Sequence, residues 1–206
     1  MLGKNENRLP KSLLSGHRRF LKNDFQANEH LFARLENEGQ APKVMWVGCV
    51  DSRVSPERIL GAEPGELLIL RNVANIIPPL EADEASVGSA LVFAVNTLRV
   101  DHIVVCGHSD CGGVKALSRL GIDPMDKMLS SWIEYAIPAL EDNQGSDLDS
   151  LIRANVVTQA ERLLDYPCVL QAATEGRLNI HACYYNIGTG KLHQYSPEEQ
   201  SWKEFV

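Results

Sequence analysis

Two short segments of the chain carry side chains that can bind a metal and handle protons. Cys49, Asp51 and Arg53 lie in the segment WVGCVDSR, and His108 and Cys111 lie in the segment GHSDCGG. Two thiolates and one imidazole form a ligand set for Zn²⁺ that leaves one position for water, as in catalytic zinc sites. An open position of this kind is typical of hydrolytic or hydration chemistry.

Each segment follows an apolar run with the pattern of a buried parallel strand. The run KVMWVGCV leads into Cys49, the run HIVVC leads into His108, and a further run, LLIL, lies between them in the sequence. The carboxyl ends of neighbouring parallel strands meet at one crevice of a sheet. We therefore expect Cys49, His108 and Cys111 to lie together although they are far apart in the sequence.

The remaining chain alternates between helical and strand patterns. Apolar residues recur with helical spacing over 83–98, and helices are predicted over 125–141, interrupted at Pro138, and over 147–165, with a polar loop at 143–146 between them. Near the end, LNIHACYYNI and KLHQYS flank Gly188-Thr189-Gly190, which predicts a hairpin. The predicted fold is α/β, with a mainly parallel central sheet flanked by helices and a C-terminal hairpin at its edge.

The first 40 residues precede the first strand and have the spacing of two amphipathic helices. We expect one domain over residues 1–206, with residues 1–40 as a helical arm. The arm has no sheet of its own to cover, so it could pack on a partner subunit or on its own subunit. We predict packing on a partner subunit.

Composition excludes several classes of partner. The chain has 27 acidic and 20 basic residues and a net charge of -7, which disfavours binding to nucleic acid or to an anionic membrane. Its N-terminus lacks the apolar core of a signal peptide, and no apolar run reaches the roughly 20 residues that span a bilayer. These features, with five scattered cysteines, predict a cytoplasmic protein with reduced thiols that acts on a small molecule.

Either half of the proposed site has an ordinary interpretation by itself. Cys49 alone could be a buried core thiol, and HSDC alone could be a loop. Their position at the ends of strands in one predicted sheet favours a metal site. The other three cysteines, Cys106, Cys168 and Cys183, lack a partner motif and are interpreted as core residues.

The two segments together resemble the β-class carbonic anhydrases. Residues 49–53, CVDSR, and 108–113, HSDCGG, match the family signature C-x-D-x-R followed by H-x-x-C-G, and the similarity extends through RNVAN, GSALVFAV and IHACYY over about residues 12 to 196. The resemblance implies zinc-dependent, reversible hydration of carbon dioxide to bicarbonate and a proton by a zinc-bound hydroxide, which is a lyase activity. It also implies a homodimer or homotetramer.

The same resemblance assigns roles to individual residues. Asp51 accepts a hydrogen bond from the zinc-bound hydroxide, Arg53 holds that carboxylate ionised and oriented, and Gln40 and Gly112 bind substrate. The alternatives are an exposed ion pair in a surface turn for Asp51 and Arg53, and a solvated turn residue for Gln40. Histidine is a common proton shuttle, which makes His102 and His181 candidates for that role, but the sequence does not place them at the site.

A second pocket is also implied. In some bacterial members, low pH or bicarbonate in a separate pocket lets the aspartate become a fourth zinc ligand that closes the site, and Asp51 is the corresponding residue here. Trp46, Arg71 and Tyr185 match that pocket, and all three donate hydrogen bonds that suit a small oxyanion. Trp46 as an ordinary core residue is the alternative.

Other functions fit parts of the pattern. A hydrolase of carbonyl sulfide or carbon disulfide could use the same scaffold. A structural zinc protein could close the site with Asp51 as the fourth ligand, although it would need neither Arg53 nor Gln40. A cysteine phosphatase is excluded because Leu117 stands where its arginine is required.

Overall fold

The structure is a computed structural model that describes residues 9–118, 127–141, 143 and 146–205. The chain forms two compact units, Met1–Gln40 and Ala41–Val206. The second unit contains both segments of the predicted metal site.

The described part of the first unit consists of α1 (Lys11–Arg19), a π-helical segment (Phe20–Phe25) and α2 (Glu29–Glu38). The rings of Phe20, Phe25 and Phe32 contact one another, with centroids 5.0 to 6.3 Å apart. Neither α-helix has a buried residue, and Leu13 and Leu21 are 59% and 43% exposed. The predicted helical arm is present and leaves apolar side chains exposed on this chain.

In the described part of the second unit, six strands form one sheet: β1 (Val44–Cys49), β2 (Leu67–Asn72), β3 (His102–His108), β4 (Asn179–Tyr185), β5 (Leu192–Ser196) and β6 (Ser201–Glu204). Their order across the sheet is β2-β1-β3-β4-β5-β6. The first four strands are parallel, and β5 and β6 are antiparallel. This confirms the predicted α/β class and the hairpin, which β4 and β5 form. Strand β6, which lies at the edge beyond the hairpin, is not predicted from the sequence.

The described helices of this unit are α3 (Pro56–Leu60), α4 (Ala85–Val92), α5 (Gly112–Ser118), α6 (Lys127–Ile133), α7 (Ile137–Glu141), α8 (Leu148–Arg162) and α9 (Pro167–Thr174). The predicted helix over 83–98 is α4 followed by a π-helical segment, Phe93–Leu98. The predicted helix over 125–141 is divided by a 3₁₀ turn, Glu134–Ala136, so that Pro138 becomes the second residue of α7, where its missing N–H is tolerated.

Some predicted segments lie partly outside the described residues. These are residues 1–8 of the predicted arm, residues 125 and 126 of the helix predicted over 125–141, part of the loop at 143–146, and residue 206 at the end of the predicted domain. Helix α9 is not predicted from the sequence.

The main core lies between one face of the sheet and helices α4, α8 and α9. Met45 and Val47 of β1 point to this core, whereas Trp46 packs on the opposite face with Cys106 and Cys183. Side chains alternate between the two faces of a strand, so Cys49 follows Val47 to the helix-covered side, where it joins a second apolar cluster around α5.

None of the helices in the described part of the chain is both long and apolar enough to cross a membrane.

Candidate metal centre

The structure brings Cys49, His108 and Cys111 together. Their ligand atoms all lie within 4.8 Å of one another, and the two sulfur atoms are 4.0 Å apart. All three residues are buried. A tetrahedral Zn²⁺ with Zn–S bonds of about 2.3 Å would place two sulfur atoms about 3.8 Å apart. The spacing of the thiols therefore fits one such ion.

Two neighbouring strands and one turn position these ligands. Cys49 is the last residue of β1 and His108 is the last residue of β3, and the two strands are parallel neighbours in the sheet. Cys111 follows after a turn in which Asp110 has a left-handed backbone, with φ of 55°. The turn returns the chain to the strand ends directly before α5 begins.

The ring of His108 is oriented as a metal ligand. Its Nδ1 lies 2.9 Å from the carbonyl oxygen of Ser109, to which it donates a hydrogen bond. The other nitrogen, Nε2, is buried and has no hydrogen-bond partner within the described part of the chain. A buried polar atom without a partner is rare, and a histidine that binds a metal typically donates its other N–H to a carbonyl or carboxylate.

Backbone N–H groups surround both sulfur atoms. Cys49 accepts hydrogen bonds from the amides of Asp51 and Ala74, and Cys111 accepts from two amides in the first turn of α5. Such donors favour the thiolate, which is the form that binds a metal.

The Cys49 and Cys111 sulfur atoms are close enough for one thiol to donate a hydrogen bond to the other. The Cys111 thiol donates to Cys49 and thereby lowers the pKa of Cys49 to about 4, although burial opposes this shift. The pKa of Cys111 rises because its proton is held by the Cys49 thiolate. Burial would lower the pKa of His108, but the neighbouring Cys49 thiolate outweighs burial and raises it. The neighbouring Cys111 thus favours the thiolate form of Cys49, which is the form that binds a metal.

Asp51 lies beside the cluster and is held by Arg53. The Arg53 backbone N–H and Nε donate to Asp51 Oδ1 at 2.9 and 3.0 Å, and Nη2 donates to Oδ2 at 2.8 Å. These hydrogen bonds hold the pKa of Asp51 well below its usual range. Asp51 Oδ2 is 3.9 Å from His108 Nε2. An ionised carboxylate therefore lies next to the ligand atoms.

Arg53 has a second carboxylate partner that sequence reasoning did not single out. Its Nη1 donates to Asp110 Oδ2 at 3.2 Å, and its Nη2 also donates to the Asp110 carbonyl oxygen at 3.2 Å. Lys115 donates to the other carboxylate oxygen of Asp110 at 3.2 Å. The sequence shows that HSDC contains an acid, Asp110. It does not show that Asp110 pairs with Arg53, because that contact depends on the left-handed turn at Asp110.

A strained turn next to the cluster is held by helix α8. Ala74 and Asn75 both have left-handed backbones, with φ of 63° and 48°. Asn155 Nδ2 donates to the Ala74 carbonyl oxygen at 3.1 Å, and Gln159 accepts from the Ile77 N–H at 2.8 Å and donates to Asn155 Oδ1 at 3.0 Å. These buried amides hold the turn whose Ala74 N–H donates to Cys49.

Arg71 braces the loop that carries Cys49 and Asp51. Its Nε donates to the Cys49 carbonyl oxygen at 2.9 Å, and its Nη2 donates to the Asp51 carbonyl oxygen at 2.6 Å. Two donors of this predicted oxyanion-binding residue are therefore used by the backbone.

Trp46 and Tyr185 lie on the face of the sheet opposite the main core. Tyr185 is half-buried and packs against the small cluster of Trp46, Cys106 and Cys183. The Trp46 Nε1 is buried without a hydrogen-bond partner among the residues described. It lies against Gly48, where an added Cβ would be 2.6 Å from this nitrogen.

The remaining predicted residues have less defined positions. Gln40 is exposed and belongs to the first unit, and its contact with substrate stays a prediction. Gly112 is the first residue of α5, and an added Cβ there would meet no atom within 4 Å. His102 and His181 contact each other at 3.1 Å, and His102 begins β3, about 20 Å of strand from His108. This distance does not support a direct proton relay by the pair.

Comparison with known proteins gives one consistent result. A family model described as carbonic anhydrase matches residues 44–192. The carbonic anhydrase of Pseudomonas aeruginosa is 36% identical over 88% of this chain and 86% of its own length. The structure of the β-carbonic anhydrase CcaA has a TM-score of 0.88 and 28% identity, covering 94% of this chain and 98% of the other. One of two tetrameric β-carbonic anhydrases from Sordaria macrospora has a TM-score of 0.76 and 30% identity, covering 89% and 94%.

Proposed function

Since this chain belongs to the β-class carbonic anhydrases, we propose that it hydrates carbon dioxide reversibly to bicarbonate and a proton, with Zn²⁺ held by Cys49, His108 and Cys111. The observation that carries the proposal is the buried cluster of Cys49, His108 and Cys111, whose ligand atoms all lie within 4.8 Å of one another and in which His108 Nε2 has no hydrogen-bond partner in the described chain. The donor set of two thiols and an imidazole suits zinc and leaves one position for solvent.

The residues around the cluster would orient the reacting water. When bound, Zn²⁺ supplies a Lewis acid that makes a water molecule acidic enough to lose a proton near neutral pH. Asp51 Oδ2 would accept a hydrogen bond from the reacting water and direct it towards carbon dioxide. Arg53 keeps the carboxylate ionised, so that it accepts a hydrogen bond instead of donating one. Gln40 and Gly112 are proposed to contact the substrate oxygens.

The geometry favours an open site over the structural zinc alternative. A closed site needs a fourth protein ligand, and the residue expected to supply it, Asp51, is engaged by three N–H groups of Arg53. No observation favours the hydrolysis of carbonyl sulfide or carbon disulfide. That activity releases hydrogen sulfide, which distinguishes it from the hydration of carbon dioxide.

A stopped-flow assay of carbon dioxide hydration tests the proposal, with zinc measured per chain. His108→Gln removes a ligand nitrogen and is expected to lower both zinc content and activity, the latter by more than about 100-fold, the upper range for residues that only support ligands. His30→Gln, an exposed residue of α2, is the matched control and should keep both. Release of hydrogen sulfide from carbonyl sulfide without hydration activity, or zinc without either activity, would contradict the proposal.

We also propose that the protein is a homodimer or homotetramer in which residues 1–40 pack on a partner subunit. The exposed leucines of the arm, Leu13 and Leu21, support this assembly, as does the tetrameric state named for the Sordaria macrospora relatives. Light scattering of the full chain should give an oligomer for the wild type and a smaller species for Leu13→Glu. The cytoplasmic location and the lack of nucleic-acid and membrane partners stay predictions.

A bicarbonate site at Trp46, Arg71 and Tyr185 is a further proposal. The buried Trp46 Nε1 has no hydrogen-bond partner in the described chain, as expected of a donor that binds an anion. Arg71 is bonded to the Cys49–Asp51 loop, so an anion that engages Arg71 would disturb the loop and let Asp51 become a fourth ligand. Trp46→Phe should abolish inhibition by bicarbonate, whereas the control Trp202→Phe should not. Unchanged inhibition in Trp46→Phe would refute this site.

A further inference from the structure

Arg53 lies between two carboxylates and is bonded to both. Its Nε and Nη2 donate to the Asp51 carboxylate. Its Nη1 donates to the Asp110 carboxylate, and Nη2 also donates to the Asp110 carbonyl oxygen. The Arg53 side chain is 45% exposed, so solvent also competes for these hydrogen bonds. The orientation of the guanidinium group therefore depends on both partners.

The two carboxylates belong to different ligand segments. Asp51 follows Cys49 by two residues, and Asp110 directly precedes Cys111. Arg53 thus joins the loop after β1 to the turn after β3. If Asp51 were the only partner, the carboxylate and the guanidinium could rotate together as one ion pair. The second anchor at Asp110 fixes the guanidinium relative to the turn and thereby fixes the Asp51 carboxylate.

We propose that Asp110 is a positioning residue that acts through Arg53 to keep the Asp51 carboxylate off the metal. This inference rests on the proposed function. Asp51 Oδ2 is 3.9 Å from His108 Nε2, and carboxylates bind zinc readily, so only a small displacement separates Asp51 from the ligand cluster. Within the part of the chain that the structure describes, the hydrogen bonds to the Asp51 carboxylate all come from Arg53, and Arg53 in turn is held by Asp110.

The local backbone is shaped for this role. The left-handed conformation of Asp110, with φ of 55°, presents its carbonyl oxygen and its carboxylate to the same guanidinium. Lys115 binds Oδ1 of Asp110 while Arg53 binds Oδ2, so the carboxylate is fixed from both sides. Asp and Asn both tolerate the left-handed region, which makes Asp110→Asn a substitution that removes the charge and keeps the turn.

Azide binding to the Co²⁺-loaded protein reports whether the metal has an open position, and visible absorption follows it without an activity assay. Asp110→Asn is expected to weaken azide binding about three- to five-fold, as for the loss of an exposed charged contact. Arg53→Gln should weaken it further. The double variant should match Arg53→Gln, because Asp110 acts only through Arg53. The matched control is Asp101→Asn, whose carboxylate pairs with Lys43 at 3.3 Å on the surface, and it should leave azide binding unchanged.

The outcomes separate this inference from its alternatives. A purely electrostatic role for Asp110 would tighten azide binding in Asp110→Asn, because a negative charge near the anion is lost. Tighter binding, a change below about two-fold, or additive effects in the double variant would each overturn the inference and leave the proposed function intact. A wild-type chain that binds no Co²⁺ would overturn the proposed function and this inference together.

Discussion

The variant Gln159→Leu removes the side chain through which helix α8 holds the turn beside the metal centre. Gln159 is fully buried, accepts hydrogen bonds from the Ile77 N–H at 2.8 Å and from Arg162 Nη1 at 3.3 Å, and donates one to Asn155 Oδ1 at 3.0 Å. Leucine has a similar size but no polar atoms, so a buried N–H and a buried amide oxygen would both lose this partner.

The expected loss of stability follows from those two groups. Each buried polar group left without a partner costs about 1–3 kcal/mol, and the gain from burying a more apolar side chain offsets part of that cost. We expect the free energy of unfolding to fall by about 2–4 kcal/mol. Without Gln159, Asn155 is held less firmly, and Asn155 is the residue that donates to the Ala74 carbonyl oxygen. The turn at Ala74, whose N–H donates to Cys49, would then be less well fixed. Zinc affinity should therefore fall about ten-fold, as for a residue that supports a ligand.

Urea unfolding at one fixed protein concentration measures the first effect, and competition with a chelator measures the second. Gln171→Leu is the matched control because Gln171 is exposed on α9 and its side chain donates a hydrogen bond to the surface residue Glu175. The control should change stability by less than about 0.5 kcal/mol. If Gln159→Leu behaved like the control, or if it lost stability without losing zinc affinity, the proposed link between α8 and the metal centre would be wrong.

Two other substitutions probe packing and pH dependence. At Gly113, an added Cβ would lie 2.9 Å from Ala74 Cβ and from Val73 Cγ1, so Gly113→Ala should lower the free energy of unfolding in urea by about 1–3 kcal/mol. The control Gly112→Ala places its Cβ in open space and should lower it much less. Equal losses in the two variants would contradict this packing argument. Burial and the neighbouring His102 lower the pKa of His181, so the unfolded chain binds more protons below about pH 6.5 and stability falls as the pH decreases through that region. His181→Gln should reduce this acid-side loss, and an unchanged pH dependence of unfolding between about pH 6.5 and 5 would show that His181 does not cause it.

The sequence predicts the parts of the site that depend on local pattern. Apolar runs that end at Cys49 and His108 predict buried parallel strands, and parallel strands in one sheet place their carboxyl ends together. This reasoning needs only the order and type of residues near each strand. The position of Asp51 next to Arg53 is predicted for the same reason, because two residues separate them in one tight loop.

The rest depends on contacts between remote segments. Nothing in the sequence around Asp110 shows that its turn is left-handed or that Arg53, on another loop, reaches it. Asn155 and Gln159 look like ordinary polar residues of a helix until the turn at Ala74 supplies buried backbone groups that need partners. Strand β6 carries few apolar residues, so its pairing is specified by β5 more than by its own pattern.

Zinc K-edge X-ray absorption of the purified, metal-loaded protein tests the central claim most directly, because it identifies the atoms bound to the ion. We predict one zinc per chain with two sulfur ligands at about 2.3 Å and two nitrogen or oxygen ligands at about 2.0–2.1 Å. A chain without zinc, or a zinc bound by no sulfur or by four, would contradict a centre built from Cys49, His108 and Cys111.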